Sequence, residues 1–511
     1  MKELRYGLTI ALFVYFFALI IYTDSQVNAA QIGMDIVWSP PKNVSKSPLN
    51  TSTDPFLLSD PTGKVHLFWS EKVSAIEGNQ PDTLLYTVWD GKNLHKSIDI
   101  FFAPESDGNL VINYPHAAID ENGTIHLVWL QQPNFPNYTL YYSSAFAPDA
   151  LLADSWSPQI ALATDLSGTE YSIDIASRGE KELHVIYARG QQGEGAKEER
   201  AVAYMRSLDG GQSWSDPMDI ATIWRIQNGA NQTRILVDGE ERIYATWIEW
   251  GISGNGYSVN FARSIDNGNT WEKPIVLSTV QDNEYERDWP NIQVLGPDRL
   301  VVMWEGGWRA YRNAQYSDDG GITWSTPIDT FPWLIGENGT VEFAVDSNAQ
   351  LHLFIAQRVR EGYLGYGDDA NAAVWHSIWE GGRKWSEPQI VTPAVNLINP
   401  KAVITGGNQV VLTWYTQRDL EIFVMTGQIQ GAPYVTQPGW ARPTITAPTQ
   451  TNQVTGEPTQ ATTFPSTPTS TPPTNPDEGP VRINEYRVLL LAVFPALLLI
   501  GIVFLMFRKN R

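Results

Sequence analysis

Between residues 31 and 436 apolar and polar positions alternate in short runs, and the 3.6-residue period of an amphipathic helix is nearly absent. One unit recurs along this stretch: a short strand, a Gly or Asp-Gly turn, then an apolar strand that often ends in Trp. The apolar strands are H-L-F-W at 66–69, H-L-V-W at 126–129, H-V-I-Y at 184–187, Y-A-T-W at 244–247, V-V-M-W at 301–304, H-L-F-I at 352–355 and V-L-T-W at 411–414. Their spacing runs from 51 to 60 residues. A third strand follows each, such as T-L-Y-Y-S at 139–143 or V-N-F-A-R at 259–263. A fourth follows a turn: W-S-P-Q-I at 156–160, W-S-D-P-M at 214–218, W-E-K-P-I at 271–275, W-S-T-P-I at 324–328 and W-S-E-P-Q at 385–389.

Four short strands per unit, repeated at a fixed period, predict an all-β fold whose sheets stack side by side in a ring, a seven-bladed β-propeller. A six-bladed ring would require two units to merge. The seventh unit lacks its W-S-x-P strand, and the missing piece stands at the other end of the body as V-W-S-P-P-K-N-V at 37–44. The N-terminal strand is expected to complete the last blade and close the ring. The first blade also lacks W-S-x-P, and spacing assigns its fourth strand to His95–Phe101.

The two ends of the chain read differently. Residues 1–30 have a basic start (Lys2, Arg5), an apolar run at Gly7–Tyr22 and small residues near Ala29, the pattern of an export signal, with an uncleaved anchor as the alternative. Val488–Phe507 holds 20 residues without a charge, followed by R-K-N-R at 508–511, which predicts a transmembrane helix over 487–507 and a cytoplasmic tail. Residues 437–480 are rich in Pro and Thr without periodicity, an extended linker or stalk. The topology expected is a single-pass protein of the cell membrane, with the ring outside.

Composition narrows the chemistry. The 511 residues carry 35 Lys+Arg against 56 Asp+Glu, a net charge of −21 that argues against a nucleic-acid partner. The absence of Cys excludes disulfides, Cys-ligated metals and thiol nucleophiles. No cofactor and no metal site are expected. His66, His126, His184 and His352 recur at one strand position, where a structural role outweighs a metal cluster. Sequons stand at Asn43, Asn50, Asn122, Asn137, Asn231 and Asn338.

Three turns match S-x-D-x-G-x-[ST]-W: 207–214, 264–271 and 317–324, with a degenerate fourth at 377–385. Asp209, Asp266 and Asp319 are suited to accept backbone N–H groups within the turn, and Trp214, Trp271 and Trp324 to pack between sheets. This is the Asp-box, or BNR repeat, and the body resembles the sialidase superfamily over about 400 residues. The resemblance implies Asp-boxes on the turn between third and fourth strands, on the face opposite the active site. It further implies an arginine triad for a substrate carboxylate, an Asp acid/base and a Tyr nucleophile activated by Glu. The Arg-Ile-Pro motif that opens the first blade in that family is missing; here the blade opens D-P-F-L-L at 54–58.

In a propeller the inner strand begins, and the second strand ends, on the same face. Residues ending second strands are therefore expected to ring the top of the channel: Glu71, Gln131, Arg189, Glu249, Glu305, Arg358 and Gln417. His116, Tyr171, Arg234, Arg287 and Asp288 open inner strands, with Trp250, Trp289, Trp308, Arg309, Tyr415 and Arg418 close by. Among these, Arg189, Arg287, Trp289, Trp308, Arg309 and Arg358 are the ligand-binding candidates, and Glu249, Glu305 and Tyr415 the candidates for catalysis. Charged groups with exposed aromatics suit an extracellular carbohydrate or glycoprotein. Three functions stay open: glycan recognition without turnover, a sialidase-like glycoside hydrolase, and a protein-binding adhesin or receptor.

Overall fold

A computed structural model describes residues 36–440 apart from 49, 74–81, 104–111, 135–136, 167–171, 190–199, 224–226, 252–255, 281–286, 308–309, 336–340, 358, 361–370, 396 and 417–418. The chain divides into two units, Met1–Arg442 and Pro443–Arg511, and every described residue belongs to the first. The export signal, the membrane segment, the tail and the linker beyond Trp440 lie outside the described residues.

The fold is a seven-bladed β-propeller. Blade 1 is formed by Thr51–Ser59, Val65–Lys72, Thr83–Trp89 and Ile98–Phe102, in that order from the axis outward, all antiparallel. Its outer strand overlaps the His95–Phe101 segment assigned by spacing. Blades 2 to 6 repeat the plan, with inner strands Ile112–Ile119, Ile173–Arg178, Gln227–Val237, Arg287–Gly296 and Val341–Val345. Blade 7 consists of Leu397–Thr405, Gln409–Thr416 and Ile422–Ile429, and is completed by Ile36–Trp38 and Lys42–Asn43 from the N-terminus. Ile36, Val37 and Trp38 pair with Ile429, Gln428 and Gly427, so both chain ends build one sheet.

Successive inner strands touch one another around the ring, and the inner strands of blades 7 and 1 close it. The hydrophobic core is divided into seven clusters, one at each junction between blades. Each sheet has two apolar faces and neither can be covered except by a neighbour. The Trp residues that end second strands, Trp69, Trp129, Trp247 and Trp304, are among the largest fully buried side chains.

The W-S-x-P segments differ from their expected role as strands. The outer strands begin after the Pro, at Met218, Ile275 and Ile328, because Pro has no N–H for the ladder. The Trp instead reaches across the junction. Trp156, Trp214, Trp271 and Trp324 meet Tyr86, Tyr142, Tyr204 and Phe261 of the preceding blade edge-on, at 5.7, 5.1, 5.1 and 4.9 Å between ring centroids. Trp385 donates its indole N–H to the Tyr316 hydroxyl at 2.9 Å, and Trp38 of the closing strand meets Phe354 of blade 6 at 6.5 Å.

The three S-x-D-x-G-x-[ST]-W turns join third and fourth strands of blades 3, 4 and 5. Asp209, Asp266 and Asp319 accept the backbone N–H of Ser213, Thr270 and Thr323 at 2.9, 2.9 and 2.8 Å. Hydrogen bonds from Ser213 and Thr323 hold the Asp209 and Asp319 carboxyls down at about 2. The recurring histidines serve the same interior: His66, His126 and His184 bond through Nδ1 to the hydroxyls of Tyr86, Tyr142 and Tyr204 at 2.6, 2.8 and 2.7 Å.

Candidate functional site

The ring brings one residue from each blade to a common level. Phe56, His116, Asp174, Arg234, Asn291, Glu342 and Lys401 face Phe68, Val128, Ile186, Thr246, Met303, Phe354 and Thr413, which hold the same place in successive second strands. Neighbours in this layer meet across the junctions. The His116 ring lies 4.8 Å from Phe56, centroid to centroid, and its Nδ1 is 2.9 Å from Asp174 Oδ1. Asn291 donates to the Val341 carbonyl at 2.7 Å, and Lys401 Nζ donates to Glu342 Oε1 at 2.6 Å.

Two residues before this layer, five of the inner strands bulge. Asp54, Tyr114, Gln232, Trp289 and Asn399 adopt left-handed backbone with φ of 53, 55, 53, 55 and 44°, and the strand register slips at each. Left-handed backbone in a non-Gly residue costs about 1–3 kcal/mol and is held only where the surroundings impose it. Bulges of this kind re-aim side chains beside functional sites. Here they form a crown at the start of the inner strands. Gln232 ties two members together: its Oε1 accepts the Trp289 N–H and its Nε2 donates to Asp288 Oδ1 at 3.3 Å.

The crown and part of the layer beneath it line an open cavity. Asp54, Phe56, Tyr114, His116, Gln232, Arg234, Trp289, Asn399 and Lys401 face it, with Pro55 and Pro115. The strand direction sets it at the end of the ring opposite the S-x-D-x-G turns, which follow third strands.

The electrostatics of the cavity are specific. Burial alone would raise the Asp174 carboxyl, but the hydrogen bond from His116, the charge of Arg234 and the N–H of Ile235 at 3.0 Å bring it below its usual range. Asp174 is therefore an anion that only accepts, and His116 Nδ1 carries the hydrogen it shares. Burial lowers His116, reinforced by Arg234 and Lys401 and opposed by Asp174. The imidazole is thus neutral, with Nε2 a free lone pair that has no hydrogen bond to any described residue. Burial likewise lowers Lys401, which is paired with Glu342. Arg234 makes no ion pair with any described residue; its guanidinium has one long contact, 3.5 Å to the Thr233 carbonyl.

The sequence-derived candidates distribute unevenly. Trp289 lines the cavity, as do His116 and Arg234 from the wider rim set. Trp308, Arg309, Arg358, Tyr171, Gln417 and Arg418 lie outside the described residues. The ends of the second strands stay within the ladder, so their side chains turn into the junctions. Glu305 is buried and pairs with the fully buried Arg312 at 2.8 Å, whose other terminal nitrogen donates to the Ala356 carbonyl of blade 6 at 2.6 Å. Tyr415 packs in the cluster between blades 7 and 1. Arg189 pairs with Asp219 of its own outer strand, and Arg287 donates to Ser278 Oγ at 3.0 Å on the outer strand of blade 4. Glu249 sits beside the ladder to Ser258, and burial raises its carboxyl. Glu71 accepts from Ser47, Asn50 and Ser52. Among the described residues, Asn231 of the fifth sequon is buried, at 1% exposure, and bonded to Ser172 at 3.0 Å, so it is closed to glycosylation in the folded ring.

Asp54, Tyr114, Asn399 and Lys401 escaped the reading of the sequence as site residues. A signal was present: X-Pro opens four inner strands at Asp54-Pro55, Tyr114-Pro115, Trp289-Pro290 and Asn399-Pro400. Pro removes a ladder donor there, which is where each strand bulges.

No family model matches the chain, and no curated protein does. Solved structures share its architecture. A Dyadobacter fermentans protein of unknown function aligns with a TM-score of 0.49 at 14% identity, over 77% of this chain and 99% of that one. The polysaccharide lyase PL25 ulvan lyase aligns with a TM-score of 0.50 at 10% identity, over 76% of this chain and 96% of its own. A Trypanosoma rangeli sialidase complexed with sialic acid aligns with a TM-score of 0.42 at 9% identity, over 75% and 54%. At such identities the likeness is one of fold, and the function rests on the site itself.

Proposed function

We propose that the cavity binds an acidic polysaccharide at a uronate residue and cleaves it by β-elimination. The observation that carries this reading is that a neutral His116, bonded to the Asp174 carboxylate, and an Arg234 guanidinium with no ion pair among the described residues line one cavity. A guanidinium grips a carboxylate through paired hydrogen bonds and withdraws its charge. That acidifies the carbon-bound hydrogen α to the carboxylate. His116 Nε2 takes this proton, and Asp174 stabilises the imidazolium that forms. The electron pair becomes the new C=C bond, and the bond from the β carbon to the glycosidic oxygen breaks. Tyr114, which also lines the cavity, is the phenol that protonates the departing oxygen. Trp289 supplies an aromatic face for the sugar ring. The hydrolytic alternative has less support: Glu305 and Tyr415 are committed to junctions.

The terminal segments keep their reading as part of this proposal: an exported ring held by a Pro/Thr-rich linker to a C-terminal membrane helix, acting on extracellular glycans.

The test is incubation of the full-length chain with polyuronates, a sulfated neutral polymer and a neutral glucan, following the ultraviolet absorbance of the unsaturated uronate. Absorbance should grow with a polyuronate alone, and His116→Ala should abolish it, a loss of at least ~100-fold from removing the base, while polymer binding persists. Arg234→Ala should weaken binding. Polyuronate binding without any new absorbance would leave a recognition module, and failure to bind any acidic polymer would remove the site.

A further inference from the structure

Beyond blade 7 the chain does not leave the ring. Gly431–Trp440 runs across the face opposite the cavity, over the turns that join inner to second strands in four consecutive blades. The Pro433 carbonyl accepts from Ser347 Oγ of blade 6 at 2.6 Å. The Val435 N–H reaches the Gly406 carbonyl of blade 7 at 2.8 Å, and the Gln437 N–H reaches the Pro61 carbonyl of blade 1 at 2.7 Å. The Trp440 indole N–H ends on the Glu121 carbonyl of blade 2 at 2.9 Å. Glycines make the sockets. A Cβ on Gly406 would stand 2.2 Å from the Tyr434 ring, one on Gly63 2.5 Å from its hydroxyl, and one on Gly123 2.2 Å from the Trp440 ring. All three glycines have positive φ, at 54, 93 and 79°. The equivalent Gly179 of blade 3, one blade past the end of the segment, has nothing within 4 Å.

We propose that Gly431–Trp440 is a mechanical clasp that takes the tension when the C-terminal tail is pulled. It bridges the seam between blades 7 and 1 on the face opposite the cavity, while the N-terminal strand Ile36–Trp38 closes blade 7 at its outer edge. Pulling on the C-terminal tail then loads Trp440 and Tyr434 against three blades before it reaches Ile422–Ile429. Without the clasp the same pull peels the last strand from its sheet, because hydrogen bonds at the end of a strand break one by one. The segment thus ends at Trp440 on the face of the ring opposite the cavity. This inference is independent of the chemistry assigned to the cavity.

The experiment is single-molecule pulling on the full-length chain. The chain has no Cys, so Glu240→Cys in the blade 4 turn gives a unique attachment, with the second handle at the C-terminus. With the clasp intact the ring should resist until one large unfolding event. With Tyr434→Ala and Trp440→Ala an extra event should come first, at lower force. Its length should match blade 7 and the released clasp, from Leu397 through Trp440, on the order of 150 Å at roughly 3.5 Å per residue. Hydrogen exchange on Trp440→Ala alone gives a second readout: faster exchange in Ile36–Trp38 and Ile422–Ile429, unchanged exchange in Gly256–Ser264. An early low-force event already present in the parent, identical traces for parent and variant, or exchange that rises equally in blade 4 would each overturn the proposal.

Discussion

Gly210 and Gly211 are adjacent in one turn and separate two physical effects that usually come together. Both have positive φ, at 75 and 85°. A Cβ on Gly210 would meet nothing within 4 Å, whereas a Cβ on Gly211 would lie 1.9 Å from the Tyr142 hydroxyl of the preceding blade. Gly210→Ala should therefore cost the left-handed backbone alone, about 1–2 kcal/mol. Gly211→Ala carries that cost and must also displace Tyr142. That side chain bonds to His126 Nδ1 at 2.8 Å and meets Trp214 edge-on at 5.1 Å. Losing the hydrogen bond and leaving a buried ring nitrogen unmatched costs about 1–3 kcal/mol. Losing the aromatic pair costs about 0.5–1.5 kcal/mol more. The difference between the two variants should thus be ~2–4 kcal/mol. At roughly 2.1 cal/mol/K per residue over about 400 residues, 3 kcal/mol lowers Tm by about 4 °C. Urea titration and calorimetry of the two single variants measure it. Equal destabilisation would refute the reasoning, because it would mean that backbone conformation alone fixes the glycine and that the turn does not clamp the next blade.

Two further outcomes follow from the interior. Arg312→Met strands the Glu305 carboxylate in the junction between blades 5 and 6 and should cost about 3–5 kcal/mol, whereas Arg312→Met with Glu305→Gln should recover most of it in a denaturation cycle. His184 is held down to about 3, first by burial and then by the charges of Arg178 and Arg206, against an ordinary 6.5. Its folded value is depressed, so the unfolded chain binds the extra proton. The neutral form's contribution is complete above pH 6.5 and is lost as pH falls towards 3, at ~1.4 kcal/mol per pH unit for one proton. His184→Asn should flatten the acid limb of the stability profile by about that slope, and a parallel profile would contradict it.

The rim candidates show where pattern reading stops. Glu305 and Arg189 were expected at the channel because they end apolar second strands. The ladder continues through them, and both are spent on partners within or between sheets. The residues that do face the cavity sit at a bulge, and a bulge shifts which side chain faces which neighbour. An alternating pattern assumes that no such shift occurs.

The amino-acid sequence alone determined the number of sheets, the order of strands in each and the return of V-W-S-P-P to the last blade. Those features are written as local alternation, turn residues and the count of strands per unit, and each can be read within a few tens of residues. Closure decided the rest. His116, Asp174, Arg234 and Lys401 come from four different blades and meet because the ring sets the inner strands around one axis. Their protonation was equally out of reach, since burial and neighbouring charge, and not residue type, leave His116 neutral and Asp174 ionised.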